Sequence, residues 1–171
     1  MSLGHLRFLF LLAFTACASI LGAAIYLQQA FFLELCVLCL LQRLIMLVCA
    51  LLCLCVAVHG PGVVAGRWYS ALLVLATLSG GTAAGTQVWL QTASMDVLVP
   101  LMAVLERILY ALQLFHEIDP LRAKMLMCAE VNWSLFGFSI PEWSLLAFCA
   151  VGLFALWALC RGWRQFPTVE D

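Results

Sequence analysis

Residues 40–58 read LLQRLIMLVCALLCLCVAV, a continuous run in which Arg43 is the only charged side chain. A run of about 18 apolar residues is long enough to cross a hydrocarbon core roughly 30 Å thick. Similar runs cover residues 8–27, 69–90 and 143–159. The sequence therefore predicts an all-α integral membrane protein, a four-helix transmembrane bundle in which residues 1–171 form a single membrane domain.

Composition supports a membrane protein and disfavours nucleic acid as a partner. Of the residues, 66% are apolar and 10% are charged, and the mean hydropathy is +1.11. A soluble domain of this size could not cover its surface with so few charges. The net charge of −1 provides no basic surface for nucleic acid. Membrane lipid is the predicted environment.

The distribution of basic residues predicts the orientation. The flanking arginines of the spans fall on one side of the predicted bundle: Arg7, Arg67, Arg161 and Arg164. Because Lys and Arg concentrate in cytoplasmic segments, both termini and the connector 59–68 are predicted to be cytoplasmic. Residues 28–39 and 91–142 are then outer loops. They face the periplasm if the protein lies in a bacterial inner membrane, on the oxidising side where disulfides persist.

The segment 97–116 is apolar enough to suggest a fifth span, but Glu106 and Arg107 would then lie near mid-membrane. Each charge there costs roughly 2.5–3.5 kcal/mol on insertion scales. Apolar residues recur at helical spacing with the charges off that stripe. We therefore expect an interfacial helix within the second outer loop.

Two cysteines, Cys36 and Cys39, stand three apart where the chain enters the second span. Such a pair can form a disulfide, and a helix N-terminus stabilises the thiolate produced on reduction. Arg43 follows Cys39 by four residues, so both side chains lie on one helix face. Its guanidinium can favour a Cys39 thiolate and hold an oxygen of an electron acceptor.

Two other interpretations of the Cys36–Cys39 pair are a zinc half-site and a pair of buried cysteines with a snorkelling arginine. Zinc would need two more ligands on the same side, and only His116 and Cys128 are available. The redox interpretation is favoured, and no metal site is predicted. Six further cysteines lie in or at the ends of apolar runs, where we expect small buried hydrophobes: Cys17, Cys49, Cys53, Cys55, Cys149 and Cys160.

The segment LCVLCLLQR at residues 35–43 resembles the CxxC-plus-arginine motif of the disulfide bond formation protein B (DsbB) family. The segment CAEVNWSLFGFSIPEW at 128–143 resembles the part of that family that leads into its last helix. The segment QVWLQ at 87–91 and the four-span layout agree as well.

The resemblance implies an inner-membrane oxidoreductase that reoxidises a periplasmic thioredoxin-fold dithiol oxidase, DsbA, and passes the electrons to ubiquinone or menaquinone. By this resemblance Cys39 engages the quinone, Cys36 is its redox partner, and Arg43 is the cation on the quinone side. Gln87 and Gln91 fall where the family contributes further quinone contacts, although both could equally be interfacial polar residues.

The second outer loop departs from the family pattern, which has two cysteines roughly 25 residues apart. Cys128 matches the later position, whereas residues 101–103, where the earlier one is expected, are Leu-Met-Ala. Thiol exchange requires a disulfide to attack. Cys128 can pair with Cys36, remain a free thiol, or pair with another chain. Cys49 cannot substitute, because it lies ~15 Å along the helix from Cys39.

Three functions are compatible with the sequence. The first is a quinone-linked thiol oxidase with a shortened relay that uses Cys36, Cys39 and Cys128. The second is a non-catalytic or trapped relative that binds a partner without turnover. The third, a metal or solute carrier, is disfavoured because Cys53 and Cys55 are two apart on a helix and cannot both face one pore.

Overall fold

The computed structural model describes residues 3–31, 37–92, 134–135 and 137–164. Within these ranges the elements are α1 (Leu3–Phe31), α2 (Val37–His59), α3 (Val63–Thr92), β1 (Ser134–Leu135), β2 (Phe138–Ser139) and α4 (Ile140–Arg164). All four helices are long and apolar enough to cross a membrane. This confirms the predicted four-helix membrane architecture.

The helices pack in chain order: α1 against α2, α2 against α3, and α3 most extensively against α4. At one end α1 and α4 also meet, where the rings of Phe10 and Phe154 stand edge to face with centroids 5.1 Å apart. Aromatic pairs in this geometry add to the stability that burial provides. Large apolar side chains cover the outer surface, as on Leu44, Leu51 and Leu153, and this surface suits contact with lipid.

The helices are longer than the apolar runs that predicted them. The third run was predicted to begin at residue 69, whereas α3 begins at Val63 and includes Arg67. The predicted connector 59–68 is therefore reduced to the non-helical residues 60–62. Likewise α1 continues to Phe31 into the predicted outer loop, because a helix can continue through the interface after its apolar side chains end.

The close packing of α3 on α4 depends on glycines. The ring of Phe148 on α4 lies against Gly80, where a Cβ would come within 2.7 Å of three ring carbons. At Gly152 a Cβ would lie 3.2 Å from Thr77 Oγ1. Small residues let membrane helices approach each other closely, so this pair forms the tightest part of the described bundle.

A short hairpin that the sequence did not predict precedes α4. Leu135 pairs with Phe138 and Ser134 with Ser139 in an antiparallel register, with Gly137 in the turn at φ 84°. The backbone N–H of Ser139 donates a hydrogen bond to Glu142 at the start of α4, which is one of the two bonds of a capping box. The hairpin therefore fixes where the last helix begins.

The six cysteines that were predicted to be buried in the spans divide into three groups, and Cys55 on α2 is the one that is half-buried. Cys17, Cys49 and Cys53 are fully buried between α1 and α2, as predicted. The side chains of Cys149 and Cys160 are exposed on α4, so the prediction that they are buried was wrong. An outward-facing surface of a spanning helix contacts lipid, which suits a weakly polar thiol without protein contacts.

Candidate functional site

The candidate site lies at the end of the bundle where α1 ends and α2 begins. Cys39 is the third residue of α2, so the first turn of the helix, with its unpaired N–H groups, presents its thiol. The helix begins at Val37. Cys36, the other cysteine of the predicted redox pair, lies outside the described residues. The predicted position of Cys39 at a helix start is confirmed.

A chain of hydrogen bonds connects Cys39 to α3. Gln87 Nε2 donates to Cys39 Sγ at 3.2 Å, and the Gln87 Oε1 atom lies 3.6 Å from the same sulfur. Gln42 Nε2 donates to Gln87 Oε1 at 2.7 Å. Both glutamines are buried, at 5% and 4% exposure. The bond from Gln42 holds the Gln87 amide in place, so that its N–H reaches the sulfur while its oxygen can also accept from the Cys39 thiol.

Arg43 is held against α1 rather than extended towards solvent. Its Nη1 donates to Gln28 Oε1, and its Nη2 donates to the carbonyl of Ala24 at 3.0 Å. The planar guanidinium makes these two bonds at once, which a lysine ammonium on its flexible stem cannot reproduce with the same geometry. The positive charge is therefore fixed at one place, partly buried between two helices.

Cys39 and Arg43 open onto one cavity of about 80 Å³ between α1, α2 and α4. It can hold several water molecules, since one water needs roughly 10–15 Å³. Polar side chains gather at its outer end. The apolar inner end is formed by residues one to two turns further into each helix: Ile20, Leu21, Met46 and Phe148. The cavity thus combines a thiol, a fixed cation and an apolar floor.

The structure brings together only part of the predicted site. Cys39 and Arg43 line the cavity together. Gln87 contacts Cys39 from α3 and is not among the residues that line the cavity. Gln91 lies one turn beyond Gln87 on α3. Cys128, like Cys36, falls outside the described residues, as does the predicted interfacial helix at 97–116. Among the described residues no cluster of His, Cys, Asp or Glu could hold a metal ion.

Sequence reasoning missed several residues of this site. Gln42 follows Cys39 by three residues, so the helical spacing that identified Arg43 could also have identified Gln42. Gln28 is the first polar residue after the first apolar run, but nothing in the sequence pairs it with Arg43. Ser144 and Phe148 on α4 gave no signal, because their contribution depends on a helix packing that the sequence does not specify.

The fold is that of a multi-pass membrane protein, and its described part places a thiol and a cation on one cavity at one end of the bundle. Residues 6–158 match the family model described as Disulfide bond formation protein DsbB. The chain therefore belongs to the disulfide bond formation protein B family and is a disulfide-forming membrane oxidoreductase by family.

Relatives agree along nearly the whole chain. Disulfide bond formation protein B 2 of Pseudomonas syringae pv. syringae is 54% identical over 171 residues, which cover 100% of this chain and 98% of that protein. Disulfide bond formation protein B 1 of Pseudomonas aeruginosa is 45% identical over 150 residues (88% and 92%). Disulfide bond formation protein B of Stutzerimonas stutzeri is 38% identical over 166 residues (94% and 99%). No solved structure matches the chain at a significant level.

Proposed function

We propose that this protein reoxidises a periplasmic thioredoxin-fold dithiol oxidase of the DsbA kind and passes the electrons to a membrane quinone, ubiquinone or menaquinone. It does so in the bacterial inner membrane, with the cavity end of the bundle facing the periplasm. The arginines at the opposite end support this orientation. Arg7 and Arg161 both lie near helix ends there, as the positive-inside rule expects for cytoplasmic flanks.

One observation carries the proposal: Cys39 and Arg43 line the same cavity. A thiol and a cation at the outer end, with an apolar floor below, fit the two parts of a quinone, whose oxygens accept hydrogen bonds and whose ring is apolar. The cavity is bordered by α1 and α4, two helices that are not adjacent in the chain and pack little against each other. A lipid-soluble acceptor can therefore reach it from the membrane.

Each residue has a defined task in this reaction. Arg43 would donate hydrogen bonds and positive charge to an oxygen of a bound quinone. Gln87 donates its amide N–H to Cys39 Sγ and so favours the thiolate. Gln42 acts through Gln87 by holding its amide in that orientation. Gln91 has no assigned contact with the cavity, and its predicted quinone role rests on the resemblance alone.

The electrons and protons balance in each turnover. The partner's two thiols lose two electrons and two protons and form a disulfide, while the Cys36–Cys39 disulfide of this chain is reduced to two thiols. Cys36 and Cys39 then form their disulfide again. The quinone supplies the electron sink, since it takes up these two electrons and two protons to become a quinol. Electrons flow in this direction if the quinone has the higher potential.

The second outer loop departs from the two-cysteine pattern of the family. Residues 94–127 contain no cysteine, so Cys128 has no partner of the family kind within its own loop. We propose that Cys128 takes part by pairing with Cys36 across the two outer loops. The absence of a cysteine from residues 94–127 also favours the second candidate function, that of a family member that binds its partner without turnover.

The test is anaerobic reduction of the purified, quinone-loaded protein by a reduced DsbA-type oxidase, with quinone reduction followed by absorbance. Cys36→Ala and Cys128→Ala are compared with the wild type, and Cys160→Ala, whose exposed thiol lies at the far end of α4, is the matched control. We expect the first two changes to abolish quinone reduction and the control to retain it.

Two other outcomes would contradict parts of the proposal. Reduction by a small dithiol that depends on Cys36, without any reduction by the protein partner, would mean that the membrane half works and the loop half does not. Absence of quinone reduction with either donor would favour the non-catalytic candidate.

A further inference from the structure

Gln28 lies in the last turn of α1 and accepts a hydrogen bond from Arg43 on α2. Its Oε1 atom bonds Nη1 of the guanidinium, while Nη2 donates to the carbonyl of Ala24 at 3.0 Å. Ala24 and Gln28 are four residues apart, so both acceptors lie on one face of α1. The side chain of Gln28 is half-buried and lines the same cavity as Cys39 and Arg43.

The two acceptors differ in how far they depend on the side chains of α1. The carbonyl of Ala24 belongs to the helix backbone, so it is present whatever side chains α1 carries. The Oε1 atom is available only because residue 28 is a glutamine. Among the described residues, no other side chain accepts a bond from the guanidinium of Arg43. Gln28 therefore decides whether this guanidinium is held at two points or at one.

Neither acceptor carries a charge. The amide of Gln28 and the backbone carbonyl of Ala24 are neutral, and the described residues that line the cavity include no Asp or Glu. A cation that is taken out of water usually pairs with a carboxylate, because an unpaired charge is costly there. A carboxylate would accept the same bonds more strongly, but it would also compensate the positive charge. The amide holds the guanidinium and leaves its charge to act on the cavity.

Cys39 is the group on which this charge can act. It precedes Arg43 by one turn on the same face of α2, and both line the cavity. The attraction between a cation and negative charge at the sulfur falls as their separation grows, so it depends on where the guanidinium is held. We propose that Gln28 is a positioning residue, whose neutral side chain holds the charge of Arg43 beside Cys39 without compensating it. This inference rests on the proposed function, because it takes Cys39 as the reacting thiol.

The experiment measures the electrostatic potential at Cys39 with two alkylating agents. With iodoacetate and with iodoacetamide, the thiolate forms the same S–C bond and displaces iodide, but only iodoacetate carries a negative charge. Both agents react with the thiolate, so the ratio of their rate constants cancels the fraction of thiolate and reports the local charge. The rates are measured at Cys39 by peptide mass spectrometry, in the Cys36→Ala protein in lipid nanodiscs and without quinone.

The first variant removes the side-chain acceptor. Gln28→Leu should lower the ratio of iodoacetate to iodoacetamide rates about fivefold, the scale expected when a unit charge recedes by a few ångströms at an effective dielectric constant of roughly 20. The matched control is Gln29→Leu, since Gln29 is the exposed neighbour, and it should leave the ratio unchanged. In an Arg43→Ala background, Gln28→Leu should no longer change the ratio, because a residue that acts only through Arg43 has no effect without it.

The second variant tests whether the side chain must be neutral. Gln28→Glu keeps an acceptor for Arg43, so thermal unfolding should not occur at a lower temperature than in the wild type. The ratio should nevertheless fall at least as far as in Gln28→Leu, because the carboxylate compensates the charge. Gln29→Glu adds the same charge on an exposed side chain and should lower the ratio much less. A purely structural role of Gln28 would instead give a less stable Gln28→Leu protein with an unchanged ratio.

The outcomes distinguish this inference from the function on which it rests. If Gln28→Leu leaves the ratio unchanged, or lowers it equally with and without Arg43, the positioning role is refuted even if the protein reduces quinone. A ratio that Gln28→Glu does not lower would refute the requirement for a neutral side chain. If the ratios change as expected but the protein with both cysteines intact does not reduce quinone, the positioning role stands and the oxidase function fails.

Discussion

The two ends of the bundle each use an arginine to link α1 and α2, but in different ways. At one end Arg7 on α1 donates to the carbonyls of Ala57 and Val58, each at 2.9 Å. These carbonyls belong to the last turn of α2, where a helix has no backbone donors left to satisfy them. The guanidinium also compensates the negative end of the helix dipole. Arg7 therefore completes a helix terminus.

At the other end Arg43 on α2 donates to Gln28 and to the carbonyl of Ala24. Ala24 lies well inside α1, which continues to Phe31, so its carbonyl already has a helical partner. The bonds of Arg43 are not needed to complete either helix. The comparison indicates that one arginine stabilises the fold, while the other is a cation held in position beside a thiol.

The largest effect that separates the two ends should come from Arg43→Ala. Because this change removes the fixed charge beside Cys39, we expect kcat/KM for quinone to fall about a hundredfold with a small dithiol as donor. Arg43→Lys should recover only part of the loss, since an ammonium cannot bond Gln28 and Ala24 in the same geometry.

Arg7→Ala is the matched control at the opposite end. It should lower thermal stability and leave kcat/KM for quinone unchanged. The distinction between the two arginines would fail if both variants lost activity to the same degree, or if Arg43→Ala retained kcat/KM within about twofold of the wild type.

A smaller effect should come from the hydrogen bond to the sulfur. Gln87→Leu removes the N–H that points at Cys39, and a hydrogen bond to a charged group contributes enough for about a tenfold change. In a Cys36→Ala background, a small alkylating agent should therefore modify Cys39 about tenfold more slowly at neutral pH. Peptide mass spectrometry measures the modification site by site.

The control for Gln87 is one turn away. Gln91→Leu should leave the rate at Cys39 unchanged, and Gln42→Leu should slow it less than Gln87→Leu, because Gln42 bonds the Gln87 amide and not the sulfur. Equal rates in Gln87→Leu and Gln91→Leu would show that the contact with the sulfur does not favour the thiolate.

The cavity end and the opposite end also differ in how much of them could be predicted. The spans could be predicted because apolar length is a property of the sequence itself, and the same holds for Cys39 and Arg43, which are four apart on one helix. Gln28 and Phe148 could not be, because their roles depend on contacts between helices far apart in the chain. The capping role of Arg7 was missed for the same reason, since its charge was interpreted only as a marker of orientation.

The smallest effect should arise at the opposite end of the bundle, in the turn between α2 and α3. Gly60 follows the last residue of α2 with φ 54°, the left-handed conformation that is typical of a helix C-terminal cap. Its N–H donates a hydrogen bond to the carbonyl of Val56 at 3.0 Å. A Cβ there would meet the Arg7 side chain at 3.1–3.2 Å. Gly60→Ala should therefore lower the free energy of unfolding by about 1–2 kcal/mol.

Gly62→Ala is the matched change, because a Cβ at Gly62 has nothing within 4 Å. Thermal unfolding in detergent should place Gly60→Ala below both Gly62→Ala and the wild type, while all three reduce quinone at the same rate when folded. If Gly60→Ala impaired quinone reduction without loss of stability, the two ends would be coupled. The helix terminus at Arg7 would then contribute to the chemistry at Cys39, about 30 Å of helix away, and the division between a structural and a functional arginine would be wrong.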